Sequence, residues 1–344
     1  MSRAVWLAVA LLLALPTLHA GFTLFASTAF LVEFLSDGRW RPLSAVTEAP
    51  AIRPLSPPSP GAGLDADLYV GASFAPPPGL VLVHGIAPRG KDDPRLREAA
   101  ALLARAGWAV AVPTVAGLAS LRLRPEDAGA VVTTIRALGA EGYRPVAVLG
   151  ISLGASPALL AAADGEVGSS VSAVLALGGY ASALELLRYT LTGAYAFEGV
   201  RGRHPIDEAA IARFARANTE LVDGAGQRLL DNRDPAAVDR LAAELPPQTR
   251  RLLDALSPEL AIGRLRAPLY LVHGRDDPAV PFTESLRLDR AARAAGRRPS
   301  TTIVGAVSHV DPDERATLGD LARLWAAFYS FRVTSARASP RPPR

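Results

Sequence analysis

The residues with the means for covalent chemistry are few. The 344-residue chain has no cysteine, which removes a thiol nucleophile, a thiolate metal site and a disulfide framework from consideration. Ser152 stands between Gly150 and Gly154 in "AVLGISLGASPALLAA", where a buried-strand pattern gives way to an alanine-rich helical one. Small residues on either side permit a sharp strand-to-helix turn that lifts a hydroxyl out of the packing. A hydroxyl at its ordinary pKa is a poor nucleophile and needs a neighbouring base. Of the five histidines, His19 lies in an apolar N-terminal run, His84 and His273 each precede a glycine at a strand end, and His204 falls in a helix-rich stretch. His309, in "VGAVSHVDP", follows the last strand pattern on a loop, the place from which an imidazole reaches over strand ends.

An imidazole base needs an acid to orient it and to stabilise its charged form. "LYLVHGRDDPAVP" supplies Asp276 and Asp277 beyond another strand; the turn ahead of Pro278 favours Asp277, with Asp276 second. Acyl transfer also needs two backbone N–H groups for the developing oxyanion, worth about 3 kcal/mol for a single donor. Leu153, directly after the serine, is one candidate. Ile86, in the loop after "LVLVHG", is the other, with Ala87 as fallback; Gly85 allows close approach and His84 serves that loop structurally. A capping serine, an Asp-Pro turn and a solvated histidine would each explain one residue alone. None explains the chain order Ser152, Asp277, His309.

These residues must be held by a scaffold, and its rhythm is visible. Strand patterns at 79–85, 108–113, 144–150, 172–179, 267–274 and 300–306 alternate with helical ones, the signature of a mostly parallel sheet flanked by helices. One helix carries its own punctuation: Asp93 as N-cap, Pro94 in the first turn, Gly107 at the stop. Another spans the segment from Glu314 to Val333. Residues 181–264 contain three helical patterns and no convincing strand, so they are expected to form a helical cap inserted between two strands. Tyr189, Tyr195 and Phe197 within it either wall an apolar pocket or join cap to body.

Taken in order, "LVLVHGIAPRG", "GISLGAS", "LVHGRDDPAVP" and "SHVDP" resemble the α/β-hydrolase superfamily, in its dienelactone-hydrolase and serine-aminopeptidase-like branch. The resemblance covers roughly residues 65–332. It implies the α/β-hydrolase fold, a serine nucleophile, the cap position for residues 181–264, and neither metal nor organic cofactor. The helical cap and the "SHVDP" setting of the histidine depart from common members. The expected reaction is cleavage of an ester or thioester, with an acyl or lipid-like substrate, through an acyl-enzyme on Ser152. A peptidase-like amide hydrolase is the alternative, and a noncatalytic scaffold of the same fold is a third reading.

Composition bounds the rest. The formal net charge of +4 comes from scattered arginines with a single lysine, Lys91, so nucleic acid is not an expected partner. From Ala4 to Val32 the chain carries no formal charge, longer than the ~20 residues that span a bilayer. Residues 1–38 are therefore expected to form an N-terminal transmembrane helix, with the lipid bilayer as partner and a single-pass membrane location. A signal peptide cut after Ala20 and a re-entrant hairpin near Pro16–Gly21 are the alternatives, and orientation stays open. The remaining expected divisions are a Pro-rich linker at 39–64, a first core part at 65–180, a second at 265–333, and a basic tail at 334–344.

Overall fold

The computed structural model describes residues 20–59, 61, 63–73, 76–122, 124–219, 224–309, 311–313 and 316–337. Its centre is an eight-stranded mixed sheet built from β1 (Ala51–Pro54), β2 (Ala66–Val70), β3 (Gly79–Val83), β4 (Ala109–Pro113), β5 (Val146–Ile151), β6 (Val171–Leu177), β9 (Leu269–Gly274) and β10 (Ser300–Val304), in the order β1-β2-β4-β3-β5-β6-β9-β10. From β4 to β10 the strands run parallel; β2 is antiparallel to β4, and β1 to β2. The six parallel strands coincide with the apolar runs of the sequence. The two antiparallel strands at one side of the sheet do not: "ADLYV" and "AIRP" are short and flanked by proline and glycine, which hides their pattern. Residues 39–64, expected as a linker, thus hold one strand of the sheet.

Strand residues alternate between two cores, as a pleat demands. On β3, Val81 and Val83 join a cluster under the helices Asp127–Ala140, Ala155–Ala162 and Thr283–Ala294, whereas Leu80 and Leu82 face the helices Pro94–Arg105 and Leu318–Ser335. Burial of both faces by helices is the condition under which a parallel sheet is stable. The Pro94–Arg105 helix starts as its punctuation indicates: the Asp93 carboxylate accepts from the backbone N–H of Arg95 and Leu96. The last helix begins at Leu318 rather than Glu314, because Thr317 caps it through a reciprocal bond with Asp320.

The N-terminal reading requires correction. Among the described residues no helix is long and apolar enough to cross a membrane, which corrects the expected transmembrane helix, and with it the bilayer as partner and the single-pass location, for residues 20–38; the first half of that expectation, residues 1–19, lies outside the described residues. Residues 20–35 do form a helix, but it docks on the body. Ala26, Ala29 and Leu31 are buried in the core beside Leu324, Ala327 and Phe328. Phe30 stacks on Phe328 at 4.2 Å, and the Trp325 indole N–H donates to Thr28. Glu33, the first charge after the run, is buried and accepts from the Ser44 backbone N–H at 3.1 Å. Hydropathy counts apolar side chains without saying what covers them; for one face of this helix the cover is protein, while Phe22, Leu24, Phe25 and Val32 are exposed on the other. Residues 1–19, with Arg3 and His19, and the tail residues 338–344 lie outside the described residues.

Residues 181–264 leave the sheet after β6 and return at β9. Helices Ala183–Thr192, Glu208–Ala217, Gly224–Leu230, Val238–Ala243, Pro247–Ala255 and Pro258–Ala261 surround their own core, which contains Leu191, Ile211, Leu229, Val238 and Leu241. The segment also holds a hairpin, β7 (Ala194–Phe197) with β8 (Val200–Arg203), where the sequence showed no strand. Its two-residue turn, Glu198–Gly199, takes positive φ at both positions, the geometry that matches strand twist. Glutamate is an uncommon first residue for such a turn, so the composition did not announce it.

Candidate active site

Ser152, Asp277 and His309 come from three loops, each at the carboxyl end of a parallel strand: β5, β9 and β10. In open α/β sheets this edge is where ligands bind. Ser152 has φ of +54°, a left-handed conformation rare outside glycine and costing about 1–3 kcal/mol. The fold sustains it by packing so close that no side chain fits around it. A Cβ on Gly154 would collide with the carbonyl oxygen of His84, and one on Gly150 would lie 2.6 Å from the Cα of Ala155. The glycines flanking the serine are thus required by close approach of the turn to β3 and to its own helix.

The His309 Nε2 lies 2.7 Å from the Ser152 hydroxyl oxygen, and His309 Nδ1 lies 2.7 Å from Asp277 Oδ2. A carboxylate only accepts, so Nδ1 carries a proton, and in the neutral ring Nε2 turns its lone pair to the serine hydroxyl. The imidazole is held by a compact loop: Ser308 N–H donates to the Asp311 carbonyl, Asp313 N–H to the Ala306 carbonyl, and Arg95 pairs with Asp311. Of the two acidic candidates, Asp276 is exposed and Asp277 is buried. Asp277 Oδ1 accepts from the backbone N–H groups of Ala279 and Val280 at 2.8 and 2.9 Å. Burial by itself would push this carboxyl up, but the neighbouring His273 and the hydrogen bond from His309 outweigh it and hold the group down at about 2.

The loop after β3 borders the serine on another side. A Cβ on Gly85 would sit 3.0 Å from the Cβ of Ser152. His84 is buried, and its Nε2 accepts from the Val115 N–H at 2.9 Å, so its proton is on Nδ1, which donates to the Gly85 carbonyl at 2.7 Å. Burial keeps this ring below the usual histidine range. In a trans peptide the C=O and the following N–H point to opposite sides. His84 therefore turns the Ile86 N–H away from itself, and among the described residues that N–H donates to no backbone acceptor. Leu153 follows Ser152 at the head of the helix and packs against the cap core, which also includes Tyr180 and Val280. Ala87 is buried behind Ile86, whose side chain is half exposed.

His204 is not brought to the serine. Its Nδ1 lies 2.7 Å from the Tyr189 hydroxyl, which also donates to the Pro278 carbonyl, so cap and acid loop are joined there. Two residues escaped the sequence reading. Gly178, at the end of β6, has φ of +62°, and a Cβ on it would lie 3.3 Å from Asp277 Oδ2 and 3.5 Å from His309 Nδ1. The glycine pair ending "VLALGG" was the available signal. His273, on β9, faces Asp277 from within the protein; its spacing of four residues before the acid was visible, but no periodicity made it stand out. Among the described residues no group of three or more His, Asp or Glu side chains is arranged to hold a metal ion.

A comparison with solved structures returns proteins of the same architecture. A puromycin-hydrolyzing peptidase of Mycobacterium tuberculosis is 19% identical with a TM-score of 0.56, the match covering 85% of this chain and 40% of that one. The acylaminoacyl peptidase of Pyrococcus horikoshii is 17% identical with a TM-score of 0.54, covering 87% and 43%. The chain spans less than half the length of either, and at these identities the likeness shows the fold. No curated protein matches the sequence. The Alpha/beta hydrolase family matches residues 80–318, more than half of the chain and a stretch that runs from β3 past β10. The chain belongs to the α/β-hydrolase family.

Proposed function

We propose that the protein is a serine hydrolase that cleaves peptide-like amides through an acyl-enzyme on Ser152. The observation that carries the proposal is the continuous line from the Ser152 hydroxyl to His309 and Asp277, with 2.7 Å at each step. His309 takes the hydroxyl proton as the serine oxygen attacks the acyl carbon. The N–H groups of Leu153 and Ile86 receive the oxyanion. His309 then gives its proton to the departing nitrogen, and the same imidazole activates the water that releases the acyl group. Asp277 keeps the ring in the productive tautomer and offsets its charge. An amine cannot leave as an anion, so amide cleavage depends on that proton more than ester cleavage does. A buried carboxylate with its acidity set far below neutrality suits this demand. The peptidases sharing the fold act on amide bonds by their names, which supports the same choice. The ester reading, first from sequence, becomes an outcome of the test.

A fluorophosphonate probe and a substrate panel test the proposal. The probe is expected to label the wild-type protein and not Ser152→Ala. Aminoacyl and N-acyl-aminoacyl anilides are expected to be hydrolysed, with turnover lost in Ser152→Ala. Cleavage of nitrophenyl esters of rising chain length with no anilide turnover would return the substrate class to esters. Absence of labelling in the folded protein would leave only the scaffold.

A further inference from the structure

We propose that His273 is a positioning residue for the reaction, which keeps the Asp277 oxygen that serves His309 aimed at it by setting the polar edge of its ring against the carboxylate from the opposite side. This inference rests on reading Ser152, His309 and Asp277 as the reacting line. His273 is the penultimate residue of β9 and is wholly buried. Its Nε2 is 2.9 Å from the Val280 carbonyl oxygen, which only accepts, so Nε2 carries a proton. With that proton directed to Val280, the same nitrogen lies 3.4 Å from Asp277 Oδ2 in a polar contact, and that oxygen is the one 2.7 Å from His309 Nδ1. Oδ2 therefore sits between two imidazoles, one on the reacting side and one in the interior.

The geometry makes His273 a rigid support. Its other nitrogen is 2.7 Å from the hydroxyl of Ser285 on the helix Thr283–Ala294, so the ring is held at both ends and cannot turn without breaking one contact. Asp277 Oδ1 is already engaged by two backbone N–H groups. With the His273 ring edge against Oδ2, rotation about Cβ–Cγ would forfeit the two bonds to Oδ1, the bond to His309 and this contact at once. Outer partners of this kind matter for orientation: for metal-bound imidazoles, losing one typically costs roughly 10- to 100-fold in affinity or activity. Among the groups that hold the carboxyl low against burial, His273 stands first.

The test uses the full chain and two substitutions at the position. His273→Leu fills space and removes the donor. His273→Gln places an amide N–H near where Nε2 stood. The rate of fluorophosphonate labelling at Ser152 reads the reacting line without a leaving-group nitrogen, and the downfield NMR resonance of the His309 Nδ1 proton reads its bond to Asp277. His273→Leu is expected to label roughly 10- to 100-fold more slowly, with the resonance shifted or lost and the melting curve still cooperative. His273→Gln is expected to recover most of the rate and the resonance. Labelling of His273→Leu at the wild-type rate with an unmoved resonance would overturn the proposal, and so would a Gln variant that folds yet behaves as Leu does. If His273→Leu does not fold, Ser285→Ala, which frees one end of the ring, takes its place; it must slow labelling and move the resonance, and an unchanged rate refutes. Failure of the wild-type protein to label, or equal labelling of Ser152→Ala, would instead refute the reacting line itself.

Discussion

Replacing Asp277 by asparagine changes one atom, and the donors around the side chain decide the consequence. The carboxylate uses Oδ1 for two backbone donors and Oδ2 for His309, with His273 Nε2 in contact at 3.4 Å. A carboxamide has one oxygen. The donors from Ala279 and Val280 belong to the backbone and do not move, so the asparagine oxygen takes the Oδ1 place and its NH2 takes that of Oδ2. That group then donates to His309 Nδ1, which forces the ring proton onto Nε2, where it points at the Ser152 hydroxyl. An imidazole in this tautomer has no lone pair for the serine. In a serine protease the corresponding change lowers kcat about 10⁴-fold, equivalent to about 5 kcal/mol of barrier. Asp277→Asn is therefore expected to lose ~10⁴-fold in kcat at neutral pH with KM little changed. Active-site titration before the kinetic assay fixes the enzyme concentration and excludes misfolding as the cause. A folded variant within tenfold of wild-type kcat would refute the account of how Asp277 acts.

Gly154→Ala is expected to cost about 3 kcal/mol or more, because its methyl collides with the His84 carbonyl; a chemical denaturation curve and loss of labelling check it. Phe30→Ala removes a half-buried ring stacked on Phe328 and is expected to cost about 2 kcal/mol, read as a lower Tm; no change would mean the N-terminal helix does not depend on this contact. Glu284, whose Oε2 accepts from Ala181 and Ser182 where the cap begins, is pushed up by burial from 4.5 to about 7. A raised folded-state value stabilises the fold fully below 4.5, and that stabilisation is lost as pH rises through about 7. Stability should fall by about 3 kcal/mol across that window, and Glu284→Gln should flatten the fall. Asp277 acts with the opposite sign: its depressed value stabilises the fold above 3.8 and that stabilisation, about 2 kcal/mol, is lost as pH drops toward 2. Asp277→Asn should remove this acid-limb loss, measured by denaturation at pH 2–5.

Local features were legible where one stretch of chain contains its own explanation. The Asp93 cap, the parallel strands and the glycine-framed turn at Ser152 all depend on neighbours within a few residues, and periodicity or residue type reports them directly. The antiparallel strands β1 and β2 were not legible, because they are short and defined by what they pair with: "AIRP" meets "ADLYV" only across the proline-rich segment, and "ADLYV" meets β4 across a helix. The hairpin β7–β8 escaped for a related reason: its four-residue strands are too short for alternation to show.

The N-terminal run marks the limit most clearly. An apolar helix bound for lipid and one bound for a protein groove have the same composition, and only the position of Phe328, some three hundred residues away in sequence, decides the matter for residues 20–35.

The sequence by itself determined the chemical alphabet and its order: one framed serine, an aspartate pair and a loop histidine, without thiols, arranged along a strand-helix rhythm. Tertiary structure alone decided which aspartate is buried and faces the imidazole, and that Gly178 leaves room beneath them. It also decided that a second histidine backs the acid. The physical reason is that β5, β9 and β10 are separated in the chain by the cap and by crossover helices, yet stand in one parallel sheet whose carboxyl ends bring their loops within hydrogen-bonding distance. Contacts made across such separations leave no periodic trace in the chain that makes them.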